Sequence, residues 1–544
     1  MKLTYEEIKK KEQWEKADVI LPTYDAEAVA ENAKKNPQWV HFGIGNIFRV
    51  FIGGIADRLL REGELDRGII CVETFDYEVV DKIYTPYDNL ALSVILYGDG
   101  RREKRVLGSL SEAVKAASAD AEQWSRLKEI FCAPSLQMVT FTITENGYAL
   151  TGTDGEYSGL VLQDIENGPE KAKSAMAILV AMLLERYRNG AAPLALVSMD
   201  NCSKNGDRLR NSVLTLASEW EKRGFAEADF IDYLSDTQKV AFPLTMIDKI
   251  TPRPSEEIAE DLETLGIENM HPVITPKKTY IAPFMNAEGP QYLVIEDCFP
   301  NGRPALEKAG VYLADRETVN KSERMKVTVC LNPIHSALAP YGCVLDYTLF
   351  SDLMRDPDLL NLAHMVGAEG MKVVPDPGIL SPQAFLDECI EERFPNPYLG
   401  DTVQRIVTDI SQGVGVRFGE TVKAYMEKNQ TAAGLTAIPV AVAGWLRYLL
   451  AVDDNGNPFE LSPDPLNEEL QALLASVRFD DPNSLTDQAR PILSNENIFG
   501  VDLYKAGIGE KIEEILRCEL EGAGAVRKTI HKYCGIRCES AGKQ

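Results

Sequence analysis

Four runs in the first half of the chain are apolar at nearly every position: 39–43 (WVHFG), 68–73 (GIICVE), 138–144 (MVTFTIT) and 194–199 (LALVSM). A strand with one wet face alternates polar and apolar residues. Unbroken apolar runs therefore predict strands covered on both sides, as in a parallel sheet. Between them, 47–60 and 172–188 repeat apolar residues at helical spacing and predict the covering helices. Strands and helices in alternation predict a doubly wound, Rossmann-like α/β domain. Beyond about Arg324 the pattern changes: 336–353, 381–393, 402–412 and 465–475 are helical segments separated by Pro, Gly and Asp, which predicts a mainly α-helical second domain. Two strand-like pieces, TYIAPF and QYLVIED, lie in a seam over 277–304. The expected domains are 1–304 and 305–544.

Composition narrows the function classes. The 544 residues are 45% hydrophobic and 26% charged, ordinary values for a folded globular chain. With 57 Lys+Arg against 83 Asp+Glu the net charge is −26, which repels phosphate backbones and anionic lipid. Nucleic acid and membrane surfaces are thus not expected partners, and an anionic ligand requires a locally basic site. The longest apolar stretches, 175–184 and 438–452, fall short of a membrane span, and the second is broken by Pro439, Gly444 and Arg447. The charged beginning MKLTYEEIKKKEQWEK has no apolar core of a secretory signal, so the expected compartment is the cytoplasm. Ten cysteines are too sparse for a disulfide framework. Cys518, His531, Cys534 and Cys538 are the one group that suggests zinc, but their spacing matches no common zinc module and 510–516 and 527–533 read as helix. A helical tail with reduced thiols, and no metal, is expected.

Three constellations carry chemistry. The turn Gly43-Ile44-Gly45-Asn46-Ile47-Phe48-Arg49 follows a predicted strand and opens a predicted helix. Glycines there let the backbone approach a pyrophosphate, and the helix N-terminus offers amide hydrogens and positive dipole. The third glycine of the usual fingerprint is absent, and a glycine-rich structural turn fits this segment equally well. Glu73, ending the next strand, adds the carboxylate that binds adenosine ribose hydroxyls and repels a 2′-phosphate, which favours NAD over NADP. Asp76 is the less well-placed alternative. The second constellation, Lys326, Asn332 and His335 in MKVTVCLNPIHSALAPYG, supplies a base and neutral donors for hydride transfer from an alcohol. The same residues also read as a surface lysine, an Asn-Pro helix start and a packed histidine. The third, Ser198-Met199-Asp200-Asn201 with Asn205-Gly206, ends a predicted strand, where open α/β sheets bind ligands. Asn201 is a donor for a substrate oxygen there, unless Asp200 and Asn201 only cap a helix over 208–216.

These segments resemble the long-chain polyol-specific dehydrogenases and reductases, which include enzymes acting on mannitol, arabinitol, fructuronate and tagaturonate. The likeness rests on HFGIGNIFR, TITENGY, SMDNCSKNG, FPLTMIDKITP, FPNGRP, MKVTVCLNPIHSALA and RFPNP, which run in family order over most of the chain. It implies a metal-independent, NAD-dependent secondary-alcohol dehydrogenase acting on a small sugar or sugar acid. It further implies that Lys326 is the general base in oxidation and acid in reduction, that Asn201 and Asn332 form the oxyanion site, and that His335 orients a substrate hydroxyl. Glu145 corresponds to the family's active-site glutamate, and Asp248 and Arg405 to substrate-binding residues.

Two departures stand out. Five residues separate Lys326 from Asn332 where the family usually has four. Either the chain bulges by one residue there or the lysine is displaced, and Lys321 is a poor substitute. The family segment RI-x-x-D-x-S-x-K, here Arg405 to Gly413, ends in glycine instead of a substrate-contacting lysine. The pocket must differ, or another residue must supply the charge. A carboxylate held by Arg405 favours reduction of a keto-uronate, the fructuronate reductase reaction, and this is the expected activity. Loss of the lysine argues instead for a neutral substrate, as in a mannitol or polyol 2-dehydrogenase. A redox-neutral epimerase that retains NAD and a sugar-binding protein with a degenerate site are the remaining alternatives. The sequence alone leaves the oligomeric state open.

Overall fold

The unbroken apolar runs become neighbours in one sheet. In the computed structural model, which describes residues 1–152 and 154–535, strands β1 (Trp39–Phe42), β2 (Ile69–Glu73), β3 (Leu110–Lys115), β4 (Met138–Phe141), β5 (Leu194–Ser198) and β6 (Val240–Ala241) are joined in the order β3-β2-β1-β4-β5-β6. Every pairing is parallel. This is the Rossmann order, with the reversal of direction between β1 and β4. Alternate residues serve opposite faces. Val40, Phe42, Ile70, Val72, Val139 and Phe141 pack with helix α2 (Ala175–Arg188) on one side. Trp39, Ile69, Cys71, Met138 and Val197 pack with Ile55, Ala56 and Leu59 of α1 (Gly53–Arg61) on the other. Both faces are dry, which is why the strands carry no polar alternation.

The sheet is wider than the apolar runs foretold. β3 reads LSEAVK, and its Glu112 and Lys115 break the apolar run; its edge position tolerates them. The helix expected over 47–60 forms as a π-helical turn, Phe48–Ile52, that continues into α1. The run 138–144 leaves the sheet early, at Phe141, and turns into a short helix, Thr144–Tyr148. In the seam, Tyr280–Ile281 of TYIAPF pairs with Val273–Ile274, the next strand, Phe284–Ala287, joins a second sheet beside Ala91–Leu96, and Tyr292–Glu296 of QYLVIED pairs with Thr245–Asp248.

The chain divides into two units, Met1–Asn320 and Lys321–Gln544. Among the described residues the second has helices and no strand. Its central helices, α4 (Asn332–Val344) and α5 (Ala437–Tyr448), are buried at almost every position, the signature of a helix surrounded by others. The Tyr341 hydroxyl of α4 donates to the Val440 carbonyl (2.8 Å) in α5 and lies 2.6 Å from the Glu519 carboxyl in α6 (Gly509–Glu519), which fixes α4 along its axis. The helix expected over 402–412 is split into Val403–Ile406 and Ile410–Val414 by Asp409 at φ +53°. No helix of the described residues is long and apolar enough to cross a membrane.

Candidate active site

The glycine turn lies beside the point where the strand order reverses, the place where doubly wound sheets bind ligands. Gly43 has φ +87°, and a Cβ there would lie 2.1 Å from the Thr142 carbonyl oxygen, so only glycine fits. The turn is pinned from three sides: Gly43 N–H donates to Val72 O (3.1 Å), Thr142 Oγ1 to Gly43 O (2.8 Å) and Tyr84 OH to Ile44 O (2.8 Å). A Cβ on Gly45 would meet nothing within 4 Å, which leaves the outer face of the turn open for a pyrophosphate. Ile44 and Phe48 are buried, while Asn46 and Ile47 are partly exposed. Arg49 is 1% exposed; Nη1 donates to Ala282 O (2.8 Å), Nη2 to Asn46 Oδ1 (2.7 Å), and Nε has no partner. Desolvation pushes its pKa down to about 10, so it remains a cation beneath the turn. His41, enclosed by Thr140 and Thr142, is held well below the usual histidine pKa by burial and is a neutral ring.

Glu73 closes the nucleotide end. Its Oε1 accepts the amides of Phe75 (2.8 Å) and Asp76 (3.1 Å). Burial raises its pKa, and the backbone amides oppose that shift. Asp76 is taken up by the Thr275 hydroxyl, which favours Glu73 as the ribose carboxylate. These groups fit a dinucleotide.

At the ends of β4 and β5 a second network forms. Asp200 accepts the amides of Ile143 (2.9 Å) and Thr144 (3.0 Å) and the hydroxyl of Tyr148 (2.6 Å), and Tyr148 also meets Ser198 Oγ at 2.8 Å. Asp200 therefore does not cap the following helix α3 (Asn205–Lys222), whose first turn begins at Lys204. It clamps the loop carrying Glu145 against the loop carrying Asn201. Thr144, β-branched at φ +64°, is held in a left-handed conformation by that clamp. Glu145 is exposed and paired with Arg208 (2.6 Å), on the wall of a cleft of about 730 Å³. Asn201 is exposed and Asp248, at the end of its strand, is buried. Asn205 ties the two strand ends together, donating to Thr245 Oγ1 (2.8 Å), while Thr245 Oγ1 donates to Ser198 O (2.7 Å).

In the second unit Lys326 is 2% exposed and opens a π-helical turn, Lys326–Cys330. The Leu331 amide donates to the Lys326 carbonyl at 3.1 Å, five residues back. A π turn is an α-helix with one residue inserted. The extra residue between Lys326 and Asn332 is thus absorbed as a bulge. Asn332 begins α4, yet its side chain makes no cap, and its Oδ1 is buried with no partner. His335 lies between the rings of Phe350 (4.8 Å) and Phe394 (4.5 Å). Arg405, on the short helix Val403–Ile406, is exposed and paired with Asp401, which precedes that helix.

Models of the mannitol dehydrogenase Rossmann domain and the mannitol dehydrogenase C-terminal domain match residues 37–308 and 318–517. The D-mannonate oxidoreductase of Thermotoga maritima is 51% identical over 98% of this chain and 99% of its own length. The chain belongs to the mannitol dehydrogenase family. Two solved structures of this kind share its architecture. A D-sorbitol dehydrogenase in substrate-free form superposes with TM-score 0.77 at 25% identity, covering 94% of this chain and 98% of its own. The mannitol 2-dehydrogenase of Pseudomonas fluorescens, in a ternary complex with NAD and D-mannitol, gives 0.69 at 25% identity, covering 98% and 99%.

Within this family frame the residues gather in two sets. Gly43 to Arg49, Glu73, Glu145, Asn201 and Asp248 belong to the first unit, and Lys326, Asn332, His335 and Arg405 to the second. Reading the sequence missed Tyr148, whose hydroxyl bridges Ser198 and Asp200, and Arg417, which donates to Ser336 Oγ at 2.7 Å. Tyr148 ends the quoted TITENGY segment, where its residue type alone did not signal a role, and Arg417 lies in none of the quoted motifs. Cys538 of the candidate zinc group lies outside the described residues; of its other members, Cys518 accepts from Lys532 and His531 bonds to Asp358.

Proposed function

We propose that this chain is an NAD-dependent D-mannonate oxidoreductase, which oxidises a secondary alcohol of D-mannonate to the ketone of fructuronate and catalyses the reverse reduction. The observation that carries this is the 51% identity to the Thermotoga maritima enzyme over nearly the full length of both chains. NAD, when bound, accepts the hydride. Gly43, Gly45, Asn46, Ile47, Phe48 and Arg49 hold its pyrophosphate and Glu73 its adenosine ribose. Lys326 takes the hydroxyl proton during oxidation and returns it during reduction. Asn201 and Asn332 donate through their side-chain amide nitrogens to the oxygen on which negative charge develops in this reading. His335 orients a neighbouring hydroxyl from between its two aromatic neighbours. Glu145, Asp248 and Arg405 contact the substrate in this reading.

Incubating the protein with NAD and D-mannonate, and separately with D-mannitol, tests the reading. NADH accumulating in solution with mannonate, and far more slowly with mannitol, is the expected result. Mannitol as the better substrate identifies a polyol dehydrogenase, and an epimerised product without NADH release identifies a redox-neutral enzyme; either outcome removes the proposal.

A further inference from the structure

Arg417 lies on the π-helical turn Gly415–Gly419 and folds back over Gly413. A Cβ on Gly413 would sit 2.5 Å from its guanidinium carbon and 2.6 Å from Nε. Any side chain at 413 would displace the guanidinium, so the glycine and the arginine form one arrangement. Nη1 donates to Ser336 Oγ at 2.7 Å. Ser336 lies one helical turn beyond Asn332 on α4, and residues four apart share a helix face. The guanidinium is thus attached to the face that carries Asn332. Thr421, the residue one turn further along from Arg417, donates to Thr328 O at 3.3 Å, inside the turn that Lys326 opens.

The charge of Arg417 is uncompensated. It is only partly exposed, and desolvation lowers its pKa. Among the described residues no carboxylate lies within ion-pairing distance, and Ser336 is its one hydrogen-bond partner. An arginine carries five N–H donors in a rigid fork, and one neutral hydroxyl occupies a single donor. In a chain of 83 acidic residues, a half-buried arginine without an acid calls for an anion from outside.

We infer that Arg417 is the receptor for the carboxylate of the sugar-acid substrate, and that position 413 is glycine to make room for it. The Nε and Nη2 edge, left over from the bond to Ser336, matches a carboxylate in a bidentate pair. Arg405, the other candidate for the carboxylate, already has an acid partner in Asp401. The inference rests on the proposed sugar-acid substrate and names the residue that selects it.

Steady-state kinetics of mannonate oxidation by the wild type, Arg417→Gln, Arg417→Ala, Arg417→Lys and Gly413→Ala test it. Arg417→Gln should raise KM for mannonate roughly 10²-fold, the scale for removing one partner of a desolvated charge pair, with a smaller change in kcat. Arg417→Lys should recover part of the loss. Guanidinium ion added to Arg417→Ala should lower KM again, a rescue that a misfolded variant cannot show. Gly413→Ala should shift KM in the same direction as Arg417→Gln. If the wild type oxidises mannonate and Arg417→Gln keeps its KM, this inference falls while the substrate reading stands. A wild type inert towards mannonate overturns both.

Discussion

Arg49 in the first unit and Arg417 in the second are both shielded cations with no carboxylate in ion-pairing range among the described residues, but they are held differently. Arg49 gives two of its nitrogens to a carbonyl and to an amide oxygen and is sealed from solvent. Arg417 gives one nitrogen to a hydroxyl and remains partly open. Arg186 shows the limiting case: five bonds to five backbone carbonyls leave it nothing to offer a ligand. The comparison teaches that a ligand receptor needs both spare donors, which Arg186 lacks, and access, which Arg49 lacks although its Nε has no partner. Arg49 lends positive potential beneath the phosphate turn, whereas Arg417 still has a fork to present. In the proposed reading the first unit holds the nucleotide, and the second supplies the carboxylate receptor and the acid/base lysine.

That division is open to direct attack. The largest effect is expected at Lys326: Lys326→Ala should lower kcat about 10²-fold or more while NADH affinity, read by fluorescence titration, stays near wild type. A parallel collapse of NADH affinity would merge the two roles. Next comes Gly43→Ala, whose Cβ collides with the Thr142 carbonyl and whose φ is strained. It should weaken NADH binding by roughly tenfold or more and lower the melting temperature, since left-handed strain alone costs about 1–3 kcal/mol. An unaltered titration would show that the turn does not touch the cofactor. Glu73→Ser removes the carboxylate proposed for the ribose and should narrow the preference for NADH over NADPH by roughly tenfold, a loss on the scale of one charge-assisted hydrogen bond. Equal affinities in the wild type would remove Glu73 from the cofactor site.

The last effect is on stability alone: it concerns the frame of α4 and leaves chemistry aside. Burial pushes the Glu519 carboxyl up to about 8, against the opposing influence of Tyr341 and Arg447, with Asp454 adding to the rise. Between the ordinary glutamate pKa and 8 the unfolded chain has lost a proton that the folded chain keeps. Stability therefore falls as pH rises through that window and levels off above it. The fall is on the order of 5 kcal/mol or less for the second unit. Glu519→Gln should flatten the pH dependence of the melting temperature between pH 5 and 8.5, and an unchanged slope would assign it to other groups.

How much of this was legible before folding depends on the range of the signal. The six-strand sheet was visible where burial on both faces left unbroken apolar runs, and invisible at its edges, where β3 carries Glu112 and Lys115. The glycine turn was legible because a backbone that crowds Thr142 admits no Cβ, which fixes the residue type locally. The five-residue gap after Lys326 was readable as an anomaly, but its resolution into a π turn is a matter of hydrogen bonding that residue identity does not encode. The helix over 402–412 was drawn too long because apolar spacing ignores Asp409, whose left-handed backbone ends one short helix and begins another. Gly413 was read as charge removed. Only the fold of the turn that follows shows Arg417 returning over it, a placement made by backbone geometry and outside any motif.

The central claim, a sugar acid recognised in the helical unit and oxidised with NAD, meets its most direct test in the ratio of kcat/KM for fructuronate to that for fructose, both reduced by the wild-type protein with NADH. Fructuronate carries the carboxylate that Arg417 is taken to hold, and fructose ends in a neutral hydroxymethyl group at that position. A ratio of about 10² or more in favour of fructuronate is the predicted result. A ratio near one, or in favour of fructose, would contradict the account.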